Sequence, residues 1–374
     1  MRTTRARAFL KRALVSVPPA GAFIGYALAA AAGAAAHVAQ VPLAWILGPL
    51  LATALAAIAG LPTFTPVAWR RFGQVTIGTS IGLNVTAPVL VTISLWLPIM
   101  VATAIIAIFL AAIVSVPFAR MGGLDRKTAF YAMMPGGLSE MANLGAAAGA
   151  QSEPIAVSQA LRVALLVCIL PPLIVSLDIH GTALDTALQQ SLSAFHTFTA
   201  LALGIAGVGV ARLLRLNNPW MIGALVGAGA TAATGLLTGK IPPPLYWFGQ
   251  FLIGISIGAR FRREIVVRLP RLFATSALFV LVLAACLFGY AVLLSIVTGL
   301  DLASAALGAS PGGLAEMAIT AQTLHLSVGL VTAFHVVRAF LVNGFTSRFW
   351  SAFNRIHLFD ALEKIADRVG RGRR

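Results

Sequence analysis

Residues 135–141 read PGGLSEM, and residues 311–317 read PGGLAEM, so six of seven positions agree across a separation of 176 residues. The same separation carries GQVTIGTSIG at 73–82 onto GQFLIGISIG at 249–258, where seven of ten positions match. It also carries Arg162 onto Arg338, and a separation of 175 carries Trp45 onto Trp220. Four landmarks in one order, at offsets of 175 or 176, identify a tandem duplication covering most of the chain.

The duplicated unit is apolar. Of 374 residues, 59% are hydrophobic and 10% are charged, against about 25% charged in soluble domains. Apolar stretches fall at about 20–38, 42–60, 65–83, 96–119 and 154–177, and again at about 196–211, 217–237, 244–259, 273–298 and 328–346. Most are long enough for a hydrocarbon layer of about 30 Å. Gly-rich segments at 128–150 and 302–324 hold the two PGG turns. The expected fold class is an all-α polytopic membrane protein embedded in the lipid bilayer.

Whether the Gly-rich segments cross the membrane decides the relation of the halves. If both cross, each half has six spans and the halves are parallel. If both are re-entrant, each half has five spans and the halves are inverted. With re-entrant segments and the N-terminus inside, 24 of the 27 Lys and Arg residues fall on the cytoplasmic side. Lys240 is then outside, and Arg162 and Arg338 lie within the membrane. With crossing segments the count becomes 18 inside against seven outside. The positive-inside rule favours the first arrangement. The expectation is two inverted-topology repeats, about 10 transmembrane helices and two re-entrant PGG hairpins.

In domain terms, residues 1–19 read as a basic cytoplasmic N-terminus and 20–177 as membrane repeat 1. An external loop at 178–195 has Asp178 and Asp185 but no Lys or Arg. Residues 196–350 form membrane repeat 2, and 351–374 a basic amphipathic cytoplasmic tail. The net charge of +16 is accounted for by topology, and no recognition helix, zinc motif or aromatic-interleaved basic patch points to direct nucleic-acid binding. Cys168 and Cys286 sit in apolar runs, and the six histidines lack metal-ligand spacing. No cofactor is expected.

The candidate site follows from the breaks and the buried charges. Pro135-Gly136-Gly137 and Pro311-Gly312-Gly313 interrupt a helix, and a positive φ is expected at the glycines. Broken segments at matching positions of inverted halves point to a transporter's binding site. Glu140, Glu316, Arg162 and Arg338 are the fixed-charge residues of the spans and hairpins. Such residues are costly in a bilayer and are typically paired or functional. Two readings stand: Glu140–Arg162 and Glu316–Arg338 pairs that neutralise themselves, or glutamates carrying a coupling ion with arginines facing an anionic solute. The polar neighbours Ser139, Asn143, Ser158 and Gln159 correspond to Ala315, Ile319, Phe334 and His335. His335 either titrates near neutrality or hydrogen-bonds within the bundle. The small residues of the GQ-x-x-IG-x-SIG spans suggest close helix packing, while Gln74 and Gln250 are candidates to line a pathway.

The paired PGGL[SA]EM segments, the GQ-x-x-IG-x-SIG spans and the W-x-x-G segments (Trp45–Gly48, Trp220–Gly223) resemble the AbrB family of duplicated bacterial membrane proteins. The resemblance covers about residues 20–350. Members are often labelled ammonia monooxygenases or regulators of gene expression. Copper or di-iron oxygenase chemistry needs His or carboxylate clusters, and the sequence offers none. The small β-rich DNA-binding regulators that share the name have no counterpart here. The topology is similar to that of elevator-type secondary transporters with two re-entrant hairpins. The expected function is therefore H⁺- or Na⁺-coupled transport of a small anionic or zwitterionic solute across the bacterial inner membrane. It needs no enzymatic activity, and a homo-oligomer is possible. The alternative is a membrane-bound sensor or regulator of gene expression.

Overall fold

A computed structural model describes residues 20–176, 190–216, 218–261 and 263–371. The expected N-terminal segment 1–19 and most of the loop 178–195 lie outside the described residues. The helices are α1 (Ala20–Val38), α2 (Ala44–Ala59), α3 (Val67–Gly82), α4 (Ala87–Gly122), α5 (Arg126–Met133), α6 (Leu138–Ala147) and α7 (Ser152–Ser176). They continue as α8 (Ala194–Leu213), α9 (Pro219–Ala233), α10 (Pro243–Gly258), α11 (Arg263–Arg268), α12 (Pro270–Thr298), α13 (Leu302–Ala309), α14 (Leu314–Thr323), α15 (Val328–Arg355) and α16 (Leu358–Arg371). Among the described residues the extended backbone is a single bridge between Ser191 and Lys240.

The duplication is written into the geometry. α3, α5 and α6 recur as α10, α13 and α14 with both ends displaced by 176 residues. Helix α4 has its counterpart in α11 and α12 together, broken where Pro270 removes a backbone donor. Left-handed backbone recurs in register, at Leu43 and Asn218, Gly60 and Gly235, and Gly123 and Gly299. Asp125 caps α5 by accepting from the Thr128 N–H at 2.9 Å, and Asp301 caps α13 by accepting from Ser304 at 2.8 Å. Each cap satisfies one of the donors that a helix start leaves free.

Among the described residues five helices, α4, α7, α8, α12 and α15, are long and apolar enough to cross a membrane. Helices α2, α3, α9 and α10 have 15 or 16 residues, or about 24 Å at 1.5 Å per residue. Large apolar side chains such as Phe195, Phe198, Ile296 and Val297 point outward, as a lipid-facing surface requires.

The helices pack in two groups, and each group draws on both repeats. One contains α1–α3 with α8–α10; the other contains α4–α7 with α12–α16. Helix α11 touches α2 and α12 and so bridges them. The first group is held by backbone contact. A Cβ on Gly78 or Gly82 would meet the carbonyls of Met221 and Leu225 at 2.6 and 2.4 Å. A Cβ on the repeat-related Gly254 or Gly258 would meet the carbonyls of Ile46 and Leu50 at 2.6 and 2.5 Å. The glycines of the GQ-x-x-IG-x-SIG spans therefore serve close helix approach, as expected. The second group has a conventional core of Phe118, Phe130, Phe279 and Phe353, onto which α16 docks Phe359. A further apolar cluster, including Ile46, Ile77, Val167 and Met317, fills the seam between the groups.

Candidate functional site

The hairpins begin as ordinary helices and stop for a definable reason. Pro135 and Pro311 lack the N–H that would extend α5 and α13, and backbone at Met134 and Ser310 turns extended, with ψ of 131° and 145°. The last carbonyls of each short helix then lose their partners inside an apolar body, where water cannot replace them. Side chains from the following long helix take over. Arg162 on α7 donates from Nη1 to the Met134 carbonyl at 2.6 Å and from Nη2 to Gly136 at 2.8 Å. Gln159, one turn earlier, places Nε2 within 3.1 Å of the carbonyls of Tyr131, Ala132 and Met134. In the second half Arg338 donates from Nη1 to Ser310 and from Nη2 to Gly312, the latter at 2.6 Å. His335, equivalent to Gln159, places Nε2 3.0 Å from the Leu307 carbonyl. That partner makes Nε2 the protonated nitrogen.

Of the two readings of the buried charges, the self-neutralising Glu140–Arg162 and Glu316–Arg338 pairs are not formed. Arg162 and Arg338 spend their forks on carbonyls, and each glutamate turns back over its own turn. An ideal Cβ on Gly137 would lie 2.1 Å from Glu140 Oε2, and one on Gly313 would lie 2.0 Å from Glu316 Oε2. A broken helix has two new ends, one negative and one positive. Arginine answers the first and glutamate the second, so the charges match helix ends instead of one another. Glu316 also interacts electrostatically with Arg260 and with Arg162, a residue of the other repeat.

The glycines correct a second expectation. Gly137 has φ −71° and Gly313 φ −80°, and neither Gly136 nor Gly312 is left-handed. Glycine is needed here for room. Met141 folds over Gly136 within 2.8 Å of a would-be Cβ, and Met317 folds over Gly312 within 2.7 Å.

The first hairpin returns to where it started. Lys127 Nζ at its beginning donates to the Ala148 carbonyl at its end, at 2.8 Å. The Gln151 N–H donates to Thr128 Oγ1 at 2.9 Å. At the same entrance Arg126 bonds Asp360 at 2.7 Å and also pairs with Glu363, both on α16. The basic tail is thus docked on the hairpin through Phe359 and these acids, while Ile356 remains exposed.

A cavity of about 340 Å³ lies on the seam between the two helix groups. Of the thirteen candidate residues, eleven line it: Pro135, Gly136, Gly137, Ser139, Glu140, Arg162, Gly312, Gly313, Glu316, His335 and Arg338. Pro311 and Asn143 do not line it, and Asn143 is exposed. Ser158 is used elsewhere, bonding Ser276 at 2.8 Å. Gln74 lines the cavity and donates to Asn218 Oδ1 at 3.1 Å; Gln250 does not line it. Sequence reasoning missed Arg70, Arg260 and Asn343. The first two were counted only as loop charges, although they flank the GQ-x-x-IG-x-SIG spans that reach the cavity. Among the described residues no group of three or more His, Cys, Asp or Glu side chains comes together.

Duplicated, helical and membrane-like, with two PGG hairpins facing one cavity, the chain belongs to the AbrB family. The family model described as "Transition state regulatory protein AbrB" matches residues 45–354. The chain is 26% identical over 357 residues to the Bacillus subtilis protein named "Uncharacterized protein YhjN", covering 88% of this chain and 92% of that one. It is 28% identical over 309 residues to the Escherichia coli protein named "Putative regulator AbrB", covering 81% and 88%.

Proposed function

We propose that this protein is a secondary transporter of the bacterial inner membrane, moving a small anionic or zwitterionic solute coupled to H⁺ or Na⁺. The observation that carries this reading is the cavity itself. Both repeat-related turns, both buried arginines and both glutamates line one space, on the seam between two separately packed helix groups. In this reading the halves are inverted repeats with about ten spans, the PGG hairpins are re-entrant, and both termini are cytoplasmic. Charge distribution supports that topology, and the meeting of the two ends of the first hairpin supports re-entry. Arg70 in the first turn of α3, Trp220 in the first turn of α9 and Arg260 just after α10 line the cavity, at helix ends that this topology places on the cytoplasmic side, so in this reading the state is open inward. Elevator-like movement of the hairpin group against the glycine-packed group would expose the cavity to the other side.

Neither an enzymatic step nor direct nucleic-acid binding is part of this proposal. The name of the Escherichia coli relative supports a second reading, in which occupancy of the cavity is sensed and gene expression responds indirectly. Purified protein in liposomes separates the two. Solute accumulation driven by an imposed H⁺ or Na⁺ gradient is expected for the transporter; solute binding without flux under either gradient would leave only the sensor.

A further inference from the structure

Helices α6 and α14 both open onto the cavity at their N-termini, through residues 137–140 and 313–316. Their N-caps are glycines, so no cap side chain accepts from the free N–H groups. Glu140 and Glu316 fold back over those glycines from within the helices, as the third-position acid of a capping box does. Each positive helix end in the cavity thus already holds a carboxylate of the protein's own.

The lining has more positive charge than these two acids neutralise. Four arginines (Arg70, Arg162, Arg260 and Arg338) face two glutamates, an excess of two positive charges. Arg162 and Arg338 are buried, at 2% and 6% exposure, and each keeps its Nε–H without a partner. Buried donors left unpaired are costly, and an oxygen-rich anion is the ligand that satisfies a charged one best.

We propose that Glu140 and Glu316 hold the places of the substrate's own anionic groups, and that the substrate is a small dicarboxylate with one carboxylate taken at each hairpin. This narrows the transport reading of the same cavity and rests on it. A dicarboxylate matches the excess of two charges and the repeat symmetry of the turns, and a cavity of about 340 Å³ suits a small ligand. A zwitterion matches neither, because the two acids that would receive its ammonium are turned onto their own helices.

The test is titration calorimetry on the full-length protein in detergent. Malonate, succinate and glutarate are compared with butyrate and 4-aminobutyrate, which keep succinate's length but replace one carboxylate with a methyl or an aminomethyl group. At least one dicarboxylate should bind about tenfold or more tighter than either comparator. Glu316→Gln keeps the fold-back but weakens the resident's hold, so the same dicarboxylate should bind about three- to tenfold tighter. Gly313→Ala fills the place with a methyl group and should weaken binding at least about tenfold. The proposal is overturned if no dicarboxylate binds, if the comparators bind equally well, or if Glu316→Gln weakens binding. Titration needs no membrane, so the two readings fail separately. Dicarboxylate binding without flux in liposomes defeats transport alone, and flux of a zwitterion without dicarboxylate binding defeats this proposal alone.

Discussion

Replacing Gly137 with alanine isolates the fold-back of Glu140 from every other role of the turn. The backbone at Gly137, φ −71° and ψ 145°, is ordinary for alanine, so no strain enters through the main chain. Stiffening the unfolded chain should even favour the variant by about 0.4–1 kcal/mol. Against this, the new Cβ would lie 2.1 Å from Glu140 Oε2, and the carboxylate must retreat by about an ångström to reach van der Waals contact. It then leaves the end of α6, where such an interaction contributes about 0.3–1 kcal/mol, or about 2 when partly buried. The net expectation for Gly137→Ala therefore runs from about neutral to a loss of about 1.5 kcal/mol. In a Glu140→Ala background the same substitution should be neutral or stabilising by about 0.5 kcal/mol, because nothing remains to be displaced. Thermal unfolding of the four proteins of this cycle in one detergent gives the coupling directly. An equal cost of Gly137→Ala with and without the Glu140 carboxylate would refute the reasoning. A cost near 1–2 kcal/mol in both backgrounds would point instead to a left-handed turn.

Other substitutions test the rest of the site. Arg162→Gln should destabilise by about 1–3 kcal/mol through stranded carbonyls, and Glu140→Gln should not rescue it in thermal unfolding; rescue would revive a Glu140–Arg162 pair. With Cys168 and Cys286 replaced, Gln190→Cys and Thr238→Cys should react with impermeant maleimide in intact cells and Arg263→Cys should not. Labelling of Arg263→Cys from outside would overturn the inverted arrangement. Asp360 is held below the usual carboxylate range by hydrogen bonds from His357 first and Arg126 second. A depressed pKa means that its contribution is present above the unfolded value near 4 and is lost as pH falls through the folded value. Protection from hydrogen exchange at 358–364, taken relative to the intrinsic rate at each pH, should therefore be steady from pH 7 to about 5 and fall only in stronger acid; a fall near pH 6 would contradict this.

The duplication, the helix breaks and the site's neighbourhood were legible in the sequence because each is a matter of residue type at fixed spacing. The partners of the charges were not. A buried Arg three residues after Gln159 or His335 looks like half of an ion pair until the carbonyls stranded by Pro135 and Pro311 are placed beside it. The glycines misled for a related reason: a PGG string suggests left-handed backbone, whereas the need for space arises from side chains three and five residues on, whose direction the string does not encode. Arg70 and Arg260 carried a strong topological signal, and that signal masked their place on the cavity. The interleaving of the repeats was equally hidden, since sequence similarity marks which segments correspond and not which ones touch.

That interleaving bears on how the protein is made. The glycine-lined face of α3 packs against α9, which leaves the ribosome only after the whole first repeat and its hairpin. At about 5–20 residues per second, on the order of ten seconds separate the two. Through that interval the first repeat has its closest-packing surface uncovered, so neither half of the chain, expressed alone, should accumulate as a stable protein.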